Sequence, residues 1–220
     1  HADLKLAHTL KSPLFRFLLW KHGLSPDKPR EANHKYLADL LTELKASRHV
    51  HKAVLLGMDG AYDHNGRYNQ AHTDFLIGND YVLKTAQAHP TEFLAGVSIN
   101  PHRRDAIDEV HRCADTGAIL VKVLPNAQQL DPANRKYTPF YRALAERKLP
   151  FLSHVGYEFS LIGKDQSVGE PDRLRLALEE GATVIAAHAC SYGLILYEKF
   201  LPTLRDLVTR YPHFYADISA

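Results

Sequence analysis

Two of the fourteen histidines stand apart from the rest. His154 closes the apolar run of "LPFLSHVGYE" and His188 closes that of "ATVIAAHACS", at nearly the same register on consecutive runs. Most others, such as His34, His64, His72 and His102, fall in polar, helical or turn contexts and read as solvated side chains. A neutral imidazole nitrogen binds a divalent metal at about 2.0–2.1 Å, and ligands on rigid strand ends leave a coordination position open for water. The metal can lower the pKa of that water to about 7, which makes it reactive at neutral pH. A lone histidine at a strand end is more often a hydrogen-bonded core residue. A pair at matching register favours a metal site.

Lys122, in "ILVKVLP", stands on the preceding run at a similar height. An ammonium among Ile, Leu and Val is costly to bury without a purpose, so the side chain is expected to face a pocket. There it can hold a substrate carboxylate, pair with an acid or, once carbamylated, bridge two metals; the plain alternative is a lysine reaching out of the mouth to water. Asp217, in "FYADIS", is a further strand-borne carboxylate that either orients a ligand histidine or caps the following loop. Asn100 and Asp59 are polar tips of "GVSIN" and "VLLGMD". Tyr157 and Glu158 follow the first ligand candidate, and Ser191, Tyr192 and Gly193 follow the second. Lys122, Asn100, Tyr157, Ser191 and Tyr192 are thus candidate substrate contacts. Cys190 is a nucleophile candidate beside His188, with no other support in the chain.

These residues need elements to hold them. From about residue 50 a short apolar run, a polar turn and an amphipathic stretch alternate, which suits strands of a parallel sheet covered on both faces. The runs are "HKAVLLGMDG", "TEFLAGVSINP", "GAILVKVLPN", "LPFLSHVGYE", "ATVIAAHACS" and "HFYADISA", which makes six strands. Helical patterns cover 69–89, 103–116, 139–148, 172–180 and 194–211. Six β-α units in series predict an α/β fold: a (β/α)8 TIM barrel lacking its first and eighth strands, or else an open doubly wound sheet. The turn after the first run, "GMDGAYDHNGRYNQ", has no G-x-G-x-x-G, which favours the barrel. Residues 1–48 read as a helical segment of the same single domain.

The charge balance is even, with 27 Lys and Arg against 25 Asp and Glu, so no basic stripe argues for nucleic acid or an anionic membrane. No apolar run approaches the length of about 20 residues that spans a bilayer. The two cysteines, Cys113 and Cys190, are too few for a disulfide framework and point to the cytoplasm. A small molecule is the expected partner. The aromatic cluster of "FRFLLWKHG" is available to cover the barrel, lid the pocket or pack against a second copy in a homo-oligomer. The opening at His1 and the strand-like ending "FYADISA" suggest an interior piece of a longer chain.

The succession "GVSINPHRRDAIDEVHRCADTGAILVKVLPNAQQLDP", "YTPFYRALAERKLPFLSHVG", "VIAAHAC" and "FYADISA" resembles the amidohydrolase superfamily, in its amidohydrolase-2, decarboxylase-like branch. The resemblance covers roughly residues 50 to 220 and implies a metal-dependent barrel whose visible strands are the second to the seventh. It implies that His154 and His188 are metal ligands, with Lys122 on the strand where some superfamily members carry a carbamylated lysine. The family's H-x-H pair on the first strand and its aspartate on the eighth are not in this sequence, so no catalytic acid or base is assigned. The leading expectation is hydrolysis of a small amide, ester or lactone-like substrate by metal-activated water. The alternative is metal-dependent nonoxidative decarboxylation of an aromatic or unsaturated acid, and a catalytically silent ligand-binding barrel is the rival from another class. Zinc is the first expectation for the cofactor, with manganese or iron also compatible.

Overall fold

The computed structural model describes residues 17, 20–23, 25, 28–74, 76–158, 165–188 and 198–217. Six strands, β1 (Ala53–Leu56), β2 (Phe93–Val97), β3 (Ala118–Val123), β4 (Phe151–His154), β5 (Val184–Ala187) and β6 (Phe214–Ala216), form one sheet. Its spatial order is the order of the sequence, and every neighbouring pair is parallel. A doubly wound sheet reverses its order partway along; this one never does. The six strands are therefore consecutive staves of a (β/α)8 barrel wall, as expected from the sequence.

Register assigns the two faces. Val121, Phe151, Val184 and Phe214 lie in one row and are buried against the helices. One residue further along, Lys122, Leu152, Ile185 and Tyr215 form the adjacent row, which points to the other, inner face. A bulge between Ala95 and Gly96 leaves Ile119 unpaired and brings Leu120 against Gly96. A Cβ on Gly96 would meet Leu56, Leu120 and Val54 at 2.7–2.9 Å, so glycine is what lets the inner side chains close over β2.

The helices are α1 (Pro29–Ala46), α2 (Asn79–Ala88), α3 (Ala106–Asp115), α4 (Thr138–Glu146), α5 (Arg175–Glu179) and α6 (Leu201–Arg210). α3 illustrates why they form. Ala106, Val110 and Cys113 keep helical spacing and are buried, acidic Asp108 and Glu109 occupy the first turn, and Gly117 follows at φ +100. Between the outer sheet face and α4, Phe140, Tyr141 and Phe151 pack edge to face with centroids 5.3–6.4 Å apart. The buried Tyr141 hydroxyl donates to the Pro132 carbonyl at 2.8 Å.

The helix expected over 69–89 is shorter than its pattern suggests. Residues 57–74 and 76–78 lie in a connection closed by two antiparallel bridges, Met58 with Ile77 and Tyr62 with Tyr68, and Gln70–His72 is a single 3-10 turn. Asn79 decides where α2 starts: its side chain accepts from the Ser98 amide at 2.9 Å and donates to Glu109 at 2.8 Å. Gly78 before it is extended. The pattern over 172–180 likewise divides into a 3-10 turn, Pro171–Leu174, and α5. Among the described residues no helix is long and apolar enough to cross a membrane.

Candidate metal centre

The site collects at the C-terminal ends of β3 to β6, where the loops of a (β/α)8 barrel converge. β4 ends on His154, which is 7% exposed. The chain turns away at Gly156, in the left-handed region at φ +100, and the Gly156 amide donates to the Gly169 carbonyl at 2.8 Å. Gly169 has no room for a Cβ because the Gly156 carbonyl oxygen fills that space. Two glycines thus let the loop fold tightly behind His154.

His188 follows β5 with φ +64, a conformation that costs a residue bearing a Cβ on the order of 1–3 kcal/mol. The Asp217 carboxylate accepts the His188 backbone N–H at 2.9 Å, and the Asp217 amide donates to Ala186 at 3.0 Å. In this backbone the two imidazoles stand with ring centroids 5.2 Å apart and planes inclined at 59°. The pair expected from the sequence is therefore brought together.

Electrostatics favour neutral imidazole at His154. Burial, then the Lys122 charge, push its pKa down to about 4, against smaller opposing effects of Glu158 and a backbone hydrogen bond to Tyr157. Its Nε2 is buried and has no hydrogen-bond partner among the described residues. A buried imidazole nitrogen without a partner is costly in a finished core and is what a metal ligand requires. Lys122 also turns inward. Its Nζ is buried and unpartnered among the described residues, and burial lowers its pKa to about 8 despite Asp217 and Glu158 nearby. The ammonium does not reach out of the mouth to water.

His154 and His188 fit two ligands of a divalent ion by donor chemistry and proximity. Among the described residues no group of three or more His, Cys, Asp or Glu is placed to hold a metal.

The remaining candidates divide. Tyr157 sits at the rim, half-buried, with its hydroxyl accepting from Lys199 at 3.2 Å and its ring 6.0 Å from Phe200. Asn100 does not line the mouth: it is fully buried, its amide donates to the Gly60 and Gln128 carbonyls at 3.0 and 2.8 Å, and its oxygen accepts from the His102 amide at 3.0 Å. A short polar side chain at a strand end satisfied its backbone neighbours first. Ser191, Tyr192, Gly193 and Cys190 lie outside the described residues.

Asn100 belongs to a buried network that the sequence did not disclose. Asp59 accepts from the Gly60 and Asn100 amides at 2.8 Å, from Tyr62 Oη at 3.0 Å and from Arg103 at 3.4 Å. Burial raises the Asp59 pKa and the Arg103 charge opposes that rise. Gln128 adds a bond to the Asp59 carbonyl at 3.2 Å and another to Ser98 at 3.1 Å, and its oxygen accepts from the Leu124 amide at 2.6 Å. The loops after β1, β2 and β3 are pinned together by these contacts. Gln128 sits in the polar run "PNAQQ", whose only sequence signal was the loop itself.

The amidohydrolase family model matches residues 51–220. Among solved structures, an uncharacterized TIM-barrel protein from Bordetella bronchiseptica is similar with a TM-score of 0.65 at 18% identity, over 86% of this chain and 61% of that one. The chain therefore spans 61% of that relative's length. The 5-carboxyvanillate decarboxylase of Sphingomonas paucimobilis is similar at TM-score 0.55 and 14% identity, over 89% of this chain and 69% of that one. A second 5-carboxyvanillate decarboxylase, from Novosphingobium aromaticivorans with bound manganese and 3-methoxy-4-hydroxy-5-nitrobenzoic acid, is similar at TM-score 0.50 and 17% identity, over 91% of this chain and 65% of that one. At these identities the likeness concerns the fold. No curated protein matches the chain.

Proposed function

The chain belongs to the amidohydrolase family, and from that premise we propose that it serves metal-dependent nonoxidative decarboxylation of an aromatic or unsaturated carboxylic acid. The observation that carries this reading is the Lys122 ammonium, buried on the inner face beside the imidazole pair with no hydrogen-bond partner among the described residues, Asp217 and Glu158 acting on it only through their charge. A carboxylic acid substrate brings a charged acceptor for it; a neutral amide, ester or lactone brings only a neutral one. Two solved structures of this fold are named as decarboxylases of a carboxylated phenol, which supports the same substrate class.

In this reading His154 and His188 hold a divalent ion, manganese or zinc, through imidazole nitrogens. Bound there, the ion supplies Lewis-acid stabilisation of negative charge on a substrate oxygen. Lys122 binds and orients the acid group. Leu152, Ile185 and Tyr215, in the same inner row, offer apolar and aromatic surface to a planar ring. Tyr157 lines the rim, and Ser191 and Tyr192 are assigned there from the sequence alone. Loss of the carboxylate breaks one carbon–carbon bond, releases CO2 and requires one proton at the carbon left behind.

The assay is CO2 release by the full natural protein, loaded with Mn2+ or Zn2+, from a panel of hydroxylated benzoic acids, run beside amide, ester and lactone panels. Turnover of an acid, lost in Lys122→Met, is the expected result. Turnover confined to the amides, esters or lactones would return the site to the hydrolytic reading, and a metal-free, inactive protein would leave a ligand-binding barrel.

A further inference from the structure

We propose that Asp217 is the positioning residue of the imidazole pair, acting on His188 through its backbone amide. His188 is one of three non-glycine residues at positive φ among the described residues, with Gln129 and Lys148, and of these it alone lies at the candidate metal centre. A left-handed residue directly after a strand turns its side chain out of the pleat that a continuing strand would impose. The Asp217 carboxylate fixes that turn. Its Oδ1 accepts the His188 N–H at 2.9 Å, while its own amide donates to Ala186 at 3.0 Å, so both ends of the contact are tied to β5.

The partner strands explain why this position carries the job. Val184, Ile185 and Ala186 pair with Phe214, Tyr215 and Ala216, and Asp217 is the next residue of the same strand direction. There β5 leaves regular pairing, and the His188 amide donates to the Asp217 side chain in place of a ladder carbonyl. A carboxylate satisfies the backbone donor that the left-handed turn takes out of the ladder. The result is an imidazole held 5.2 Å from His154 by a residue that need not touch the metal. Residues that orient ligands in this way typically alter metal affinity 10–100-fold when removed.

The test uses the protein without metal first. The ring proton contact between His154 and His188 is read by nuclear Overhauser effects, and His188 amide exchange reports the cap. Mn2+ and Zn2+ affinities are then measured by titration calorimetry; this last consequence rests on the metal-site reading above, whereas the ring geometry does not. In Asp217→Ala the contact disappears, His188 amide exchange rises at least tenfold and metal affinity falls about tenfold or more. Asp217→Asn keeps an acceptor oxygen and restores all three. A purely electrostatic role would leave Asp217→Asn as impaired as Asp217→Ala, and a ring contact that survives in Asp217→Ala would likewise overturn the proposal. If Asp217→Ala does not fold, Asp217→Leu is read in its place; failure of both to fold while Asp217→Asn folds would make Asp217 a folding requirement and overturn the positioning role. If the wild-type protein binds neither metal, the metal reading falls, and the ring contact and exchange data alone decide the role of Asp217.

Discussion

His154 Nε2 and Lys122 Nζ are both buried without hydrogen-bond partners among the described residues, and the Lys122 charge is the second largest influence on the His154 pKa. A finished apolar core rarely leaves two such groups side by side, because each unsatisfied buried polar group costs roughly 1–3 kcal/mol, and more when charged. In the proposed function, the bound metal and substrate acid would supply the partners that these two groups lack.

Replacing Lys122 by Met is therefore expected to stabilise the metal-free protein at pH 7, by about 1–3 kcal/mol in denaturant unfolding. Burial lowers the folded-state pKa to about 8 from an ordinary value of 10.5. Between those values the unfolded chain binds the extra proton, so wild-type stability rises with pH through that window. The advantage of Lys122→Met is full below about pH 8 and narrows toward pH 10.5, above which only the cost of burying an unpaired neutral amine remains.

His154 has the opposite placement on the pH scale. Its folded-state pKa of about 4 lies below the ordinary 6.5, so the unfolded chain binds more protons between those values. Stability of the metal-free protein is expected to fall as pH drops from about 6.5 to 4. His154→Phe, which does not titrate, should flatten that part of the profile, as equilibrium unfolding at several pH values would report.

Gly169→Ala is expected to impair metal binding without touching a ligand. The added methyl meets the Gly156 carbonyl oxygen and must displace the loop that begins two residues after His154. Metal affinity should fall about tenfold by titration calorimetry. Gly78→Ala is the control, since its Cβ meets nothing within 4 Å, and affinity should stay unchanged.

Asp59→Ala removes the acceptor shared by the Gly60 and Asn100 amides, Tyr62 and Arg103. Arg103 retains Asp105, with contacts at 2.7 and 2.9 Å, so the expected loss is about 2–4 kcal/mol rather than the full cost of an orphaned buried charge. Chemical denaturation should show a lower midpoint with little change in slope.

Much of this was legible in the sequence. All six strands fall inside the apolar runs, because a sheet covered on both faces demands consecutive apolar residues that no surface element would carry. His154 and His188 were legible for the same reason, as polar endings of those runs. Other features depend on contacts between distant residues and leave no periodic trace. The left-handed turn at His188 needs Asp217 from the next strand, the start of α2 needs Ser98 and Glu109, and the burial of Asn100 needs Gln128. The apolar residues near the end of 69–78 looked helical, yet Ile77 pairs with Met58 across the loop. Tertiary pairing outweighed local propensity there.

The most direct measurement is the elemental metal content of the full natural protein beside a His154→Ala, His188→Ala double variant, both purified from medium supplemented with manganese and zinc. About one equivalent or more per chain in the wild type, lost in a double variant that still folds, is the predicted result. Metal absent from both proteins, or retained equally by both, would contradict the assignment of His154 and His188 as ligands.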